Sequence, residues 1–291
     1  MNQIPNPKSQ IPNPKSQIPN PKSLSVILPA MIDTHCHLTY DPLHERVEQV
    51  IANAAADGVD RMITVGTTPE DARKGLELTR RFNNIFSTVG VHPHYADQCQ
   101  DKQEVQSVMR LLASDPKVVA LGEMGLDHHY PDPPIELQKT MLDWQLEVCS
   151  ELSDMPIIIH NREATDETIA QLTASDIDPT RFVFHCFTGQ LDELEKILAF
   201  GAMVSFTGIT TFNSAPYLAD AAKRMPADRI MIETDSPYLT PAPHRKVRPN
   251  EPRYVACVAD FIAKAREMSL DDFVTLVDAN AQRFFNLPAV D

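Results

Sequence analysis

Short apolar segments alternate with amphipathic stretches along most of the chain. From Met31 onward, runs rich in Val, Ile and Phe recur, and each is followed by a stretch whose apolar residues repeat at helical spacing. The predicted strands cover residues 31–34, 61–65, 85–89, 118–121, 156–159, 182–184, 202–206 and 230–233. Two helices carry clear signals. One begins after Thr68, an N-cap residue followed by Pro69, and another covers residues 135–152 with an apolar face.

Eight strand–helix units predict an α/β protein built as a single (β/α)₈ TIM barrel. The length of the patterned region agrees, because such barrels take about 250 residues. The competing fold is an open doubly wound sheet, which usually carries a glycine-rich phosphate-binding turn after its first strand. Here the first strand runs into Asp33-Thr34-His35-Cys36-His37, so the pattern favours the barrel.

The first 30 residues have a different composition. The heptapeptide Gln-Ile-Pro-Asn-Pro-Lys-Ser occurs three times in tandem over residues 3–23. Its prolines block regular hydrogen bonding, and each repeat has a single bulky apolar residue, so the segment cannot bury enough surface to order itself. We therefore expect residues 1–30 to be a disordered low-complexity extension and residues 31–291 to form the barrel domain.

Charge and cysteine content narrow the functional classes. The formal net charge of −14 disfavours a protein that coats nucleic acid, but an enzyme that holds phosphates through cations remains possible. The five cysteines are odd in number and form no CxxC pair, which predicts reduced thiols and a cytoplasmic location. No apolar run reaches the roughly 20 residues that span a bilayer, so no membrane partner is expected. The sequence does not indicate an oligomeric state.

Histidine and carboxylate residues follow the predicted strands. Strand one ends at His35 and His37, and the other candidates follow strands three, four, five, six and eight, namely His92, His94, Glu123, Asp127, His160, His185 and Asp235. In a barrel the carboxyl ends of all strands surround one opening, where active sites of this fold lie. Residues two apart on a strand face the same side, so His35 and His37 can hold one ion together. So many imidazole and carboxylate side chains around one opening predict a divalent metal centre.

Several motifs resemble those of the TatD family of metal-dependent deoxyribonucleases, which have amidohydrolase-like barrels. The matching segments extend in order over nearly all of the chain after residue 30 and include Asp33-Thr34-His35-Cys36-His37, Gly122-Glu123-Met124-Gly125-Leu126-Asp127 and Glu233-Thr234-Asp235-Ser236-Pro237. The resemblance implies two divalent ions, Mg, Mn or Zn. His35, His37, Glu123 and Asp235 would surround one, and Glu123, His160 and His185 the other, with Glu123 bridging. It also implies DNA 3′ ends as the substrate.

Metal-assisted hydrolysis needs a proton acceptor and groups that hold the phosphate. Asp235 is the candidate base, although it could act only as a ligand, and Glu123 joins it as a catalytic residue through its bridging position. His92 and Arg162 could donate hydrogen bonds to phosphate oxygens. Arg245 belongs to a basic loop over residues 244–248 that could hold a nucleic-acid backbone, and Tyr238 or Phe212 could stack on an end base.

The leading hypothesis is a hydrolase of phosphodiester bonds, specifically a 3′–5′ exodeoxyribonuclease. The first alternative is a metal-dependent amide or ester hydrolase acting on a small molecule, because the same ligands support that chemistry. The second is a non-catalytic binding protein, against which the intact ligand set argues. The motifs and the basic loop favour phosphodiesters.

Overall fold

The computed structural model describes residues 30–288. Eight parallel strands form one sheet in the order β1 to β8, so each strand pairs with the next along the chain. Their bounds are β1 Met31–Cys36, β2 Val59–Thr64, β3 Ile85–Val89, β4 Val118–Asp127, β5 Ile157–Arg162, β6 Phe182–Phe184, β7 Met203–Phe206 and β8 Ile230–Ile232. A bridge between Cys36 of β1 and Ser236, four residues beyond β8, brings the two ends of the sheet together. The predicted (β/α)₈ barrel is confirmed.

Nine α-helices lie among the described residues. Their bounds are α1 Val47–Ala56, α2 Pro69–Arg81, α3 Lys102–Leu112, α4 Ile135–Glu151, α5 Thr165–Ala174, α6 Leu191–Phe200, α7 Tyr217–Arg224, α8 Val255–Ala265 and α9 Leu270–Phe285. The Thr68 hydroxyl accepts from the Asp71 N–H at 3.1 Å, so this N-cap forms as predicted. Within residues 30–288, no helix combines the length and apolar character needed to cross a membrane.

The strands separate two apolar clusters because successive side chains of a strand point to opposite faces. Met31 and Met62 pack on the outer side toward the helices, whereas Ile32 and Ile63 pack inside the barrel. Phe285 of α9 joins the inner cluster. The Asp278 carboxylate of α9 also accepts from the Ile32 N–H at 3.1 Å, so α9 lies across the amino ends of the strands. The carboxyl ends are left open for the site.

β4 differs most from its predicted span. The sequence pattern ends this strand at residue 121, but pairing with β5 continues to Asp127 opposite Arg162, after an irregularity between Leu121 and Met124. The apolar pattern stops where Gly122 and Glu123 interrupt it, which is why the longer strand was not predicted. Both Glu123 and Asp127 are therefore fixed on the barrel wall. The predicted extension over residues 1–30 lies outside the described residues except for Ala30.

Candidate metal centre

The end of β1 directs two imidazoles into the barrel opening. Nε2 of His35 lies 3.3 Å from Oε2 of Glu123, and Nε2 of His37 lies 3.3 Å from Oδ1 of Asp235. His35 and Asp235 are also close, with Nε2 and Oδ1 3.8 Å apart. Ligand atoms of His35, His37 and Asp235 thus lie near enough to one another to share a cation.

Glu123 of β4 joins this group to a second one. Its Oε1 lies 2.7 Å from Nε2 of His185 and 2.8 Å from Nδ1 of His160. Its other oxygen faces His35. The Glu123 side chain is almost completely buried, and the two oxygens of one carboxylate therefore face separate groups of imidazoles.

Two glycines allow Glu123 to reach this position. Gly125 has a φ of +151°, and a Cβ at this position would collide with the carbonyl oxygen of His160. Gly122 has a φ of +115°, and a Cβ there would lie only 2.5 Å from the carbonyl oxygen of Ile158 on β5. L-residues with a side chain disfavour such φ values. The Gly-Glu-Met-Gly segment is thus required for β4 and β5 to approach each other beside the site.

Asp235 lies three residues beyond the end of β8. It has a left-handed φ of 53°, and its N–H donates to the carbonyl of His35 at 2.9 Å. The preceding residue, Thr234, donates its hydroxyl to Oδ2 of buried Asp33 at 2.6 Å. Burial raises the pKa of Asp33 to about 8, although the Thr234 hydrogen bonds oppose the shift. These bonds fix the segment that carries Asp235 against β1.

The charges of the site reinforce one another. Burial disfavours the charged form of Glu123, but the charge of His185 and the hydrogen bonds from His160 and His185 outweigh it and hold the pKa of this carboxyl well below its usual range. Burial also disfavours the imidazolium of His185, yet the charge of Glu123 raises its pKa well above the ordinary value. His185 therefore holds a proton in a position where a divalent cation would replace it.

An orphaned nitrogen shows that the cluster suits a cation. Nε2 of His35 is buried and has no hydrogen-bond partner within residues 30–288, although two carboxylates face it. A buried polar atom without a partner is costly, and a metal ion would satisfy its lone pair. The donor set of imidazole nitrogens and carboxylate oxygens is the one that Zn, Mn and related divalent ions use. The residues present therefore fit divalent metal binding.

A cavity of about 1170 Å³ opens above this cluster. His37, Glu123, His160, His185 and Asp235 form part of its floor. Tyr130 and Tyr238 also line it, and about half of each side chain is exposed. These tyrosines follow β4 and β8, which are opposite strands of the barrel, so they flank the cavity from two sides.

The three predicted substrate-binding residues occupy different places. His92 lies within the cluster, with Nε2 3.1 Å from Nδ1 of His160 and 3.3 Å from Oε1 of Glu123. Arg162 lines the cavity, and its Cζ lies 5.4 Å from the centre of the Tyr130 ring. Arg245 is exposed and does not line the cavity; its Cζ lies 3.1 Å from the centre of the Phe212 ring. The structure thus brings His92 and Arg162 to the site and leaves Arg245 outside it.

Four further residues at the site received no individual role from the sequence. Asp127 and His94 were recognised as following strands, but neither spacing nor composition indicated that they contact each other at 3.0 Å. Tyr130 lies in the loop after β4, three residues beyond Asp127. Glu233 precedes the Thr234-Asp235 pair, and its Oε1 accepts from the Cys186 N–H at 2.7 Å. The only signal that could have identified these residues is their position just past strand ends.

The sequence profile of the family described as TatD related DNase matches residues 32–286. The uncharacterized metal-dependent hydrolase YabD of Bacillus subtilis is 35% identical over 257 residues, which cover 88% of this chain and 99% of YabD. A protein named 3′-5′ ssDNA/RNA exonuclease TatD, from Erwinia billingiae, is 34% identical over 264 residues, covering 89% of this chain and 100% of that protein.

Among solved structures, the TatD homologue YJJV of Escherichia coli superposes with a TM-score of 0.82. It is 29% identical to this chain, and the match covers 89% of this chain and 98% of YJJV. The family profile extends over nearly the whole barrel and includes every residue of the histidine and carboxylate cluster. The chain therefore belongs to the family of TatD-related, metal-dependent DNases.

Proposed function

We propose that this protein is a metal-dependent 3′–5′ exonuclease that removes nucleotides from the 3′ ends of single-stranded DNA and uses two divalent cations. The observation that carries the proposal is the division of the Glu123 carboxylate between two groups of ligands. Two cations joined by a shared carboxylate are typical of enzymes that displace phosphoryl oxygens in line. The name of the Erwinia relative supports the same activity and direction.

Each cation position has its own set of residues. His35, His37, Asp235 and Oε2 of Glu123 would hold the first, and Oε1 of Glu123, Nδ1 of His160 and Nε2 of His185 would hold the second. When bound, such ions supply Lewis acidity toward the phosphate and lower the pKa of a water nucleophile toward neutrality. We propose Mg, Mn or Zn, since the mixed nitrogen and oxygen donors accept all three.

Asp235 is the residue we assign as proton acceptor. It faces the cavity, and 15% of its side chain is exposed, in contrast to 2% for Glu123. Burial disfavours its charge, but the hydrogen bond with His37 and the neighbouring imidazoles hold the pKa of its carboxyl below the ordinary value. The carboxylate thus stays ionised and can accept a proton from water on the open side of the site.

His92 has the geometry of a hydrogen-bond donor to phosphate. Its Nδ1 accepts from the backbone N–H of His94 at 3.0 Å, so in the neutral ring the proton is on Nε2. Burial lowers the pKa of His92 to about 4, which keeps the ring neutral near pH 7. Nε2–H therefore points into the second ligand group as a donor, and a metal ion would require it to lose that proton. We assign it a phosphate oxygen as partner.

The walls of the cavity suit single-stranded DNA. Arg162 can donate to a phosphate oxygen beside His160, and the exposed rings of Tyr130 and Tyr238 can each stack on an unpaired base. Every base has a flat face, so stacking would tolerate different sequences. Arg245 lies outside the cavity, so it would contact the DNA backbone at a greater distance from the reacting 3′ end.

The test uses a single-stranded oligonucleotide labelled at its 5′ end and incubated with Mg²⁺, Mn²⁺ or Zn²⁺. The expected products form a ladder that shortens from the 3′ end, and the Glu123→Gln variant gives none. Arg162→Ala should raise KM more than Arg245→Ala, since only Arg162 lines the cavity. Absence of cleavage with every cation, together with turnover of an acyl ester, would instead establish the amide or ester hydrolase alternative.

A further inference from the structure

Asp127 at the carboxyl end of β4 contacts two imidazoles through one oxygen. Its Oδ2 lies 2.9 Å from Nε2 of His160 and 3.0 Å from Nε2 of His94. The carboxylate is completely buried, and its other oxygen accepts from the backbone N–H of His129 at 2.8 Å. Asp127 reaches no other residue of the two proposed cation positions, so the proposed function leaves it without a role.

The hydrogen bonds of Asp127 determine which nitrogen of His160 is free. An ionised carboxylate only accepts hydrogen bonds, so Nε2 of His160 must carry a hydrogen to donate to Oδ2. In the neutral ring the lone pair is then on Nδ1, which is the atom that faces Oε1 of Glu123 at 2.8 Å. A metal ligand must present a lone pair, and outer carboxylates commonly fix the tautomer of histidine ligands in this way.

The backbone around Asp127 is rigid. Its N–H donates to Oε1 of Gln138 at 2.8 Å, and Nε2 of Gln138 donates back to the Asp127 carbonyl at 3.1 Å. Gln138 is buried on α4, and β4 pairs with β5 at Asp127 itself. The Asp127 carboxylate is therefore held by the barrel wall and α4, which allows it to set the orientation of the His160 ring.

A third cation held by His94, Asp127 and His160 is the competing explanation of the same contacts. Both imidazoles, however, lie at ordinary hydrogen-bond distance from a single oxygen of Asp127. His160 would also have to bind ions through both of its ring nitrogens at once, which requires loss of both ring protons. Hydrogen bonding explains the distances without that requirement.

We propose that Asp127 is a positioning residue that holds His160 with its proton on Nε2 and its Nδ1 lone pair directed at the second cation position. The proposal rests on the proposed two-cation site, and it adds a residue that determines the affinity of one position only. His94 shares the same oxygen but does not contact Glu123 at hydrogen-bond distance, so its loss should affect the second cation much less.

The experiment is a calorimetric titration of metal-free protein with Mn²⁺, without substrate, for the wild type, Asp127→Asn and His94→Gln. An amide has one oxygen, so Asp127→Asn cannot serve both the His129 N–H and the two imidazoles. We expect it to keep the first binding event and to weaken the second by about 10–100-fold, as is usual when the outer partner of a ligand is lost. His94→Gln should change the second affinity by less than about 3-fold on the same scale.

Three outcomes are distinguished by the number of ions that the wild type binds. If the wild type binds fewer than two ions, the two-cation function fails regardless of Asp127. If it binds two and Asp127→Asn binds both equally well, only the role of Asp127 is overturned, and three ions per wild-type chain would favour the third-cation explanation. Should Asp127→Asn not fold, ¹⁵N NMR of the Zn²⁺-loaded wild type, with His160 assigned by a His160→Gln variant, must show the proton on Nε2; a proton on Nδ1 overturns the proposal.

Discussion

Nε2 of His185 lies 2.7 Å from Oε1 of Glu123, while the other oxygen of the same carboxylate faces His35. β1 and β6 are not neighbours in the barrel, yet the rings of His35 and His185 stack with their centroids 4.0 Å apart, and Glu123 of β4 contacts both imidazoles. One buried carboxylate on the barrel wall therefore joins the two halves of the site. The properties of the whole cluster should depend on it more than on any single histidine.

Replacing Glu123 by Gln should remove the shared carboxylate while preserving the side-chain volume. The amide NH₂ has no lone pair for a cation, so we expect fewer than two tightly bound ions per chain and a fall in kcat of more than about 100-fold, the upper end of what loss of an outer partner alone produces. Metal content after gel filtration and the oligonucleotide assay measure the two effects. Glu163→Gln is the matched control, because Glu163 lines the cavity but pairs with His129. Two retained ions in the Glu123 variant would contradict the bridging position.

Removal of metal should lower the thermal stability as well as the activity. A ligand at 100 times its Kd stabilises the native state by about 2.7 kcal/mol. For a domain of this size that corresponds to roughly 5–10 °C in Tm. We therefore expect the Tm measured by circular dichroism to fall by this amount when EDTA replaces Mn²⁺. Glu123→Gln should show a smaller difference, and an equal difference would place the stabilising ion elsewhere.

Reductants should leave the activity unchanged. The five cysteines are free thiols, and Cys36 and Cys186, the two nearest the site, are held in the protonated form because burial raises the pKa of each well above its usual value. Thiolate, not thiol, is the reactive form. Cleavage rates with and without dithiothreitol at constant Mn²⁺ should agree. A loss of activity on reduction would mean that the cysteines contribute to the activity, which contradicts the role as inert thiols assigned here.

Substituting Gly125 by Ala should destabilise the protein and weaken metal binding together. Its φ of +151° and the His160 carbonyl leave no room for a Cβ, so we expect a loss of about 2–3 kcal/mol in the free energy of unfolding. Gly75→Ala is the control. Gly75 lies within α2, and a Cβ there would meet side-chain atoms of Thr64 and Ser87 at ordinary contact distances of 3.5 and 3.6 Å. That helical substitution should be neutral or stabilise by about 0.5–1 kcal/mol. Urea unfolding of both variants measures the contrast.

Asp278 should make the stability of the barrel depend on pH. Burial raises the pKa of its carboxyl to about 7, against a lowering by the hydrogen bond from Ile32 and by Arg61. Between about pH 4 and 7 the native state thus holds a proton that the unfolded state has released. Stability should therefore fall as the pH rises through this window, by at most about 1.4 kcal/mol per pH unit.

Asp278→Asn tests this dependence, since its amide oxygen can still accept from the Ile32 N–H. Relative to the wild type, the variant should gain about 2 kcal/mol in the free energy of unfolding between pH 5 and pH 7, because it has no proton to lose. Urea unfolding in EDTA at the two pH values provides the comparison, and other titrating groups cancel in the difference. Parallel pH dependences for the two proteins would show that Asp278 is ionised throughout.

Much of the architecture can be predicted from local patterns. The alternation of apolar runs and helical stretches identified all eight strands, and Thr68 with Pro69 marked the start of α2, because burial and capping act over a few neighbouring residues. The position of histidines just past strand ends was likewise sufficient to predict one cluster, since all parallel strands of a barrel end around one opening. The roles of the individual ligands remain proposals. So do the boundary of the barrel domain at residue 31 and the cytoplasmic location.

Other features depend on contacts between distant segments. No spacing indicates that Glu123 faces four histidines, that Asp127 is shared by His94 and His160, or that Arg245 stacks on Phe212 outside the cavity. β4 continues past its apolar run because Gly122 and Gly125 allow close approach to β5, which became apparent only when both strands were in place. The alternation of side-chain directions along a β-strand determines which side of the barrel wall a residue faces. Which atom its polar group meets there depends on the packing of every neighbouring strand.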